Sequence, residues 1–165
     1  MNKSVPAFAL VLSVLLWSAL ASAQAVIKMP GAHPRYTFDA EPHLVVRPFK
    51  GEGIGPGFRG TIVLVDNGFI TKINNSVGLG FGADFLFSGR DEVILPIVMQ
   101  WNFWLSRKWS VFGEPGASIR LHDHKADHFY PFTFYAGGRF LFSDSVALVM
   151  RVGHPTFSVG VSFLL

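Results

Sequence analysis

Between Ser76 and Phe87 the chain alternates without a break. Val77, Leu79, Phe81, Ala83, Phe85 and Phe87 fall on one face, and Ser76, Gly78, Gly80, Gly82, Asp84 and Leu86 on the other. Alternation at period two over this length specifies a β-strand whose two faces meet different surroundings. The C-terminal stretch repeats it, with Phe157, Val159, Val161, Phe163 and Leu165 opposite Ser158, Gly160, Ser162 and Leu164. Strands this apolar must be paired along both edges or they template aggregation, and closing the sheet into a barrel removes both edges.

The N-terminus carries Lys3, an apolar stretch from Val5 to Leu20, and Ala21-Ser22-Ala23 before Gln24. This reads as a secretory signal peptide over residues 1–23, with Ala21 and Ala23 marking the cleavage site. Residues 24–40, punctuated by Pro30, Gly31 and Pro34, read as a flexible periplasmic lead-in, and residues 41–165 as a single barrel domain. Mean hydropathy is +0.37, high for a soluble protein. Yet the longest later apolar run, Val93–Met99, is far too short for a membrane helix and contains Pro96. Apolarity is therefore spread over short strands, as in a transmembrane barrel. The net charge of +3 arises without a basic run, so nothing points to nucleic acid. The chain has no cysteine, which excludes a disulfide-stapled scaffold.

Alternating segments are expected at about Pro42–Phe49, Phe58–Val65, Ser76–Phe87, Val93–Leu105, Trp109–Leu121, Tyr130–Phe142, Val146–Gly153 and Thr156–Leu165. Eight is a common minimum for membrane barrels. A soluble lipocalin-like barrel with an apolar interior is the structural rival, because alternation alone does not say which face is inside. Three features favour lipid outside. Gly78, Gly80, Gly82, Gly116, Gly137 and Gly160 lie on the polar face, where a narrow interior needs room for large neighbours. The apolar face bears no ionisable group from the third strand onward. Its aromatic residues gather at strand ends, with Trp101, Phe103, Trp109, Phe140, Phe142 and Phe163 at one level and Phe85, Phe87, Phe132 and Phe157 at the other. The connections alternate between tight and longer or more charged, which puts the C-terminus in the periplasm.

With these features the chain resembles the small eight-stranded outer-membrane β-barrels, of which the OmpA transmembrane domain and OmpX are familiar types. The resemblance runs from about Glu41 to Leu165 and includes a C-terminal assembly signal, matched here by Phe157, Phe163 and Leu165; the family usually ends in phenylalanine. It implies a bacterial outer-membrane location, contact with outer-membrane lipid and lipopolysaccharide, insertion by the barrel-assembly machinery, and no cofactor.

Arg47, Arg59, Asp84, Glu114, Arg120, Arg139 and Arg151 are expected to face the lumen. A salt-bridge and hydrogen-bond network there would take the place of an apolar core. The excess of arginine over acid in this set would bias any pore toward anions. His122, Asp123, His124, Asp127 and His128, on an external loop, have ligand types suited to zinc, though their spacing matches no standard site. Because some eight-stranded barrels modify lipids, Ser88, Asp91, His122 and His154 are considered as rim residues of a deacylase or acyltransferase, but His154-Pro155-Thr156 lacks the His-x-Ser pattern of lipid A deacylases. The chief expectation is a structural or surface-interaction barrel presenting external loops. Pro96, Pro115 and Pro131 would each remove a ladder hydrogen bond and are expected near a rim, at a bulge or at a weak seam.

Overall fold

The computed structural model describes residues 26–47, 53–87, 91–122, 125–154 and 156–165. Its strands are β1 (Phe38–Arg47), β2 (Gly53–Val65), β3 (Asn75–Leu86), β4 (Glu92–Trp104), β5 (Trp109–His122), β6 (Lys125–Leu141), β7 (Val146–Gly153) and β8 (Phe157–Leu164). Each pairs antiparallel with its neighbour in sequence, and β1 pairs with β8 to close an up-and-down barrel. The signal-peptide residues, Ala21 and Ala23 included, lie outside the described residues.

Three strands begin four or five residues earlier than alternation alone predicts. β1 starts at Phe38 rather than Pro42, β2 at Gly53 rather than Phe58, and β6 at Lys125 rather than Tyr130. In β2 the run Gly53-Ile54-Gly55-Pro56-Gly57 has the composition of a turn, yet it is extended and pairs with β1 from Arg47 to His43. The glycines serve close approach: a Cβ on Gly57 would collide with the His43 ring, and one on Gly55 with the backbone of Phe85.

The barrel is inside-out relative to a soluble protein. The described outward strand positions carry no ionisable side chain, and many are large and bare, such as Ile97 and Val152. The inward positions include Asp39, Glu41, Arg59, Asp84, Glu114, Arg139 and Arg151, every one at most 2% exposed. Charges so deeply enclosed beneath an apolar exterior fit a wall facing lipid, so the fold is a transmembrane β-barrel.

Prolines interrupt the ladders in a regular way. Pro42 pairs with Phe58 of β2, while the β1–β8 ladder skips from Ala40↔Phe163 to His43↔Gly160. Pro96 pairs with Ser118, while β3–β4 skips from Phe81↔Ile97 to Asp84↔Ile94. Pro115 pairs with Phe134, while β4–β5 skips from Val98↔Gly116 to Trp101↔Gly113. Each ring nitrogen, having no hydrogen to donate, leaves a gap in one of the two ladders. Pro96 and Pro115 thus sit at seams within paired strands. Pro131 lies at a bulge, where the β5–β6 register shifts between Gly116↔Thr133 and Ser118↔Tyr130.

The stretch before β1, expected to be a flexible lead-in, is docked across the end of the barrel that holds the termini. A turn at Val26–Met29 is followed by Gly31, whose φ of 75° suits a residue without a Cβ. The chain then brings His33 and Tyr36 into buried positions. At the other terminus Leu165 O accepts from Thr37 N (2.7 Å) and Leu165 N donates to Phe38 O (2.8 Å), joining the end of the chain to the start of β1.

Candidate functional site

Inward side chains fill the lumen in three layers. The lowest, at the end with the termini, is apolar: Tyr36, Trp104, Leu141, Ala147 and Leu164 form one buried cluster with Val63 against it. His33 stacks on the Trp104 ring, with centroids 5.4 Å apart and planes 9° from parallel. Its ring nitrogens reach Asn74 Oδ1 at 2.5 Å and Asp66 Oδ1 at 3.1 Å. This layer closes the barrel floor.

The middle layer is ionic. Arg151 of β7 spans the lumen, donating from Nη1 and Nη2 to Glu41 at 2.6 and 2.9 Å and from Nε to Glu114 Oε2 at 2.8 Å. Gln100 Nε2 donates to Glu114 Oε1 (2.8 Å), and Asn102 Nδ2 to Gln100 Oε1 (2.9 Å). Below, Arg139 pairs with Asp39, which also accepts from Ser162 Oγ at 2.5 Å. Above, His43 lies 2.9 Å from Asp84 and 3.5 Å from Glu41. The Arg59 guanidinium is 3.9 Å from Asp84 and stacks over the Tyr135 ring at 5.3 Å. Phe112 points inward as well, with Arg151 and Arg139 over its ring at 5.2 and 5.9 Å. A Cβ on Gly137 would strike that ring, which is the room-making role expected of this glycine.

The third layer, Val45, Leu86 and Ile94, is a small apolar cluster. Close to it Arg47 pairs with Glu92 at 2.8 Å near the loop end of the barrel.

All seven lumen residues expected from the sequence lie on inward strand positions: Arg47, Arg59, Asp84, Glu114, Arg139 and Arg151 are buried, and Arg120 is half-buried nearer the mouth. The set was incomplete. Asp39, Glu41 and Glu92 also face inward, together with His43. Each central arginine has a carboxylate partner, so the arginine excess that would favour anions is not present in the packed layer. Period-two counting back from Arg47 reaches His43 within the expected first strand, whereas Glu41 and Asp39 precede its expected start at Pro42.

At the loop end His122 closes β5 and is half-buried, while His128 is exposed on β6. Asp123 and His124 lie outside the described residues, as does the Asp127 side chain. Among the described residues no group of metal-ligating side chains converges there. His128 instead lies 4.5 Å from the Tyr130 ring, His154 lies 6.1 Å from it on the β7 side, and Arg120 stacks over it at 6.0 Å. Of the enzyme candidates, Ser88 is outside the described residues, and His154 makes an edge contact with Tyr130 rather than a hydrogen bond to a serine. The assembly-signal residues Phe157 and Phe163 are on the outer face of β8, with Leu165 exposed beyond it.

The strands do not end level. β5 and β6 pair up to His122↔Lys125, but β6 pairs with β7 only from Tyr135↔Gly153 downward. Past Phe134, whose carbonyl still accepts from His154 N (3.3 Å), residues 125–133 of β6 carry β5 on one side and no described strand on the other. The hairpin outruns its neighbour, and Phe132 on it is 74% exposed.

No protein-family model matches the chain. No curated protein sequence matches it either. Among solved structures, a de novo designed transmembrane β-barrel superposes with a TM-score of 0.54 at 12% identity, covering 84% of this chain and 99% of that one. The designed barrel TMB2.3 gives 0.53 at 16% identity over 79% and 94%. The Yersinia pestis outer membrane protein Ail, in a phospholipid bilayer nanodisc, gives 0.50 at 11% identity over 79% and 100%. At these identities the likeness is one of fold: an eight-stranded transmembrane barrel.

Proposed function

We propose that this chain is a bacterial outer-membrane barrel, its termini in the periplasm, that acts as a scaffold presenting the β5–β6 hairpin and neighbouring loops at the cell surface. The observation that carries this reading is the unequal strand height. A hairpin that rises past β7 leaves residues 125–133 of β6 without a described strand on that side, and such an edge can accept an extended segment of another protein as an added strand. The filled lumen supports a scaffold over a pore, since an apolar floor and an ionic layer of paired side chains both lie across it. Outer-membrane lipid and lipopolysaccharide surround the wall, and the barrel-assembly machinery inserts it through the β8 signal.

The test is a peptide epitope inserted between Asp123 and His124. Intact cells are expected to bind the antibody, and labelling only after the outer membrane is permeabilised would overturn the orientation. Refolded protein with and without residues 121–132 is then screened against a library of extended peptides. Binding that requires the hairpin is expected, while equal binding by both would remove the edge from the proposal. The alternatives have their own signatures: a change in lipid A mass on overexpression for a deacylase or acyltransferase, and single-channel conductance for a pore.

A further inference from the structure

Backbone contacts at the end with the termini gather exposed cations beneath one part of the apolar wall. Asn74 N donates to Ile27 O (2.7 Å), and Trp104 N donates to Asn74 O (2.9 Å). The lead-in, the β2–β3 loop and the foot of β4 therefore meet at one point on the rim. Lys28 follows Ile27, Lys72 lies two residues before Asn74, and Arg107 and Lys108 occupy the tight turn just past Trp104; all four are exposed. Two carboxylates share this end, and the four cations outnumber them: Asp66 is held by His33, which also reaches Asn74, and Asp144 sits in the neighbouring β6–β7 turn.

Directly along the wall from these cations runs an aromatic face. Phe69 packs edge-on to Trp101 (5.7 Å), and Trp101 against Phe103 (4.9 Å). On the next hairpin Trp109 packs against Phe140 (4.8 Å), and Phe140 against Phe142 (5.4 Å). Trp101 Nε1 donates to Asn75 Oδ1 (2.9 Å), which fixes that indole on the outer wall. Aromatic belts of this kind mark the level where acyl chains give way to headgroups. Cations just beyond the belt lie at headgroup phosphate height, where they attract anionic lipid.

We infer that this rim is a binding site for an anionic phospholipid. Lys28, Lys72, Arg107 and Lys108 hold the headgroup phosphate, and the acyl chains lie on the Trp101–Phe103 and Trp109–Phe140 faces. The inference rests on the membrane reading above and adds the lipid class and the place.

Tryptophan fluorescence tests it, since Trp101 and Trp109 face outward and Trp104 is enclosed in the lumen. The full chain carrying Trp17→Phe is reconstituted in phosphatidylcholine vesicles. These contain a minor fraction of either brominated phosphatidylglycerol or brominated phosphatidylcholine. At low salt the anionic lipid is expected to quench with a relative binding constant about fivefold higher, falling toward parity at high salt. The combined variant Lys28→Gln, Lys72→Gln, Arg107→Gln, Lys108→Gln is expected to show parity while its quenching by phosphatidylcholine is unchanged. Parity in the parent chain, or a preference that survives the four substitutions, would overturn the site. Quenching by neither lipid would instead show that the wall is not in the bilayer, and the membrane reading would fail together with the inference.

Discussion

The two ends of this barrel are built on opposite principles. At the end with the termini, tight turns, the docked lead-in and the stapling of Leu165 to β1 seal the lumen around Trp104, and nearly every element has a partner. At the other end the strands stop at different heights, and β6 continues for about ten residues beyond its last pair with β7. The closed end concentrates burial, and the open end concentrates unpaired backbone. Stability and recognition are thereby assigned to different parts of one continuous sheet, and the ionic layer between them holds the wall together.

The largest effect is expected in that layer. Arg151→Met leaves Glu41 and Glu114 buried without their shared partner, and should cost about 3–5 kcal/mol in a urea titration followed by heat-modifiable gel migration. Adding Glu41→Gln and Glu114→Gln should recover much of the loss, because replacing a whole buried ion cluster is far less costly than orphaning part of it. If the single and triple variants were equally unstable, the Arg151 contacts would not be the source of the effect.

At the closed end, Trp104→Ala removes the ring that carries His33 and should cost about 3 kcal/mol in the same titration. A cost near zero would mean that the floor contributes no burial, and the contrast between the ends would collapse. Gly137→Ala probes the wall between them: its Cβ has no room beside Phe112, so a loss of about 1–3 kcal/mol is expected, relieved in part by Phe112→Leu. The smallest effect belongs to the open end. Phe132→Ser should change stability by no more than about 0.5 kcal/mol, because the side chain stands on a hairpin above the closed wall. A cost of several kcal/mol would place Phe132 in lipid and shorten the projecting part of the hairpin.

Much of this architecture was legible because period-two patterning is a local property. Ser76–Phe87 and Thr156–Leu165 declare their two faces residue by residue, and the inward glycines follow from the same count. What escaped notice depends on partners distant in sequence. Glu41 and His43 were missed because Pro42 and Pro48 bracket the stretch and disguise β1, and the lumen therefore looked richer in arginine than it is. The docking of His33 onto Trp104 joins residues 71 apart in sequence, and nothing near His33 in the chain foretells it. The height of the β5–β6 hairpin was hidden by Pro131, which has the look of a strand boundary and is instead a bulge that β6 passes through. The paired faces of a barrel are written locally, while its floor and rim are set by which strands meet.

The most direct measurement uses the absence of cysteine from the chain. Single cysteines at Leu79, Ile97, Met150 and Val152, all outward and exposed, are spin-labelled after reconstitution into bilayers, and collisions with oxygen are compared with those with a water-soluble nickel chelate. Lipid contact predicts that oxygen dominates at all four positions. Nickel collisions equal to or above those of oxygen would put the apolar face in water, contradicting the inside-out barrel.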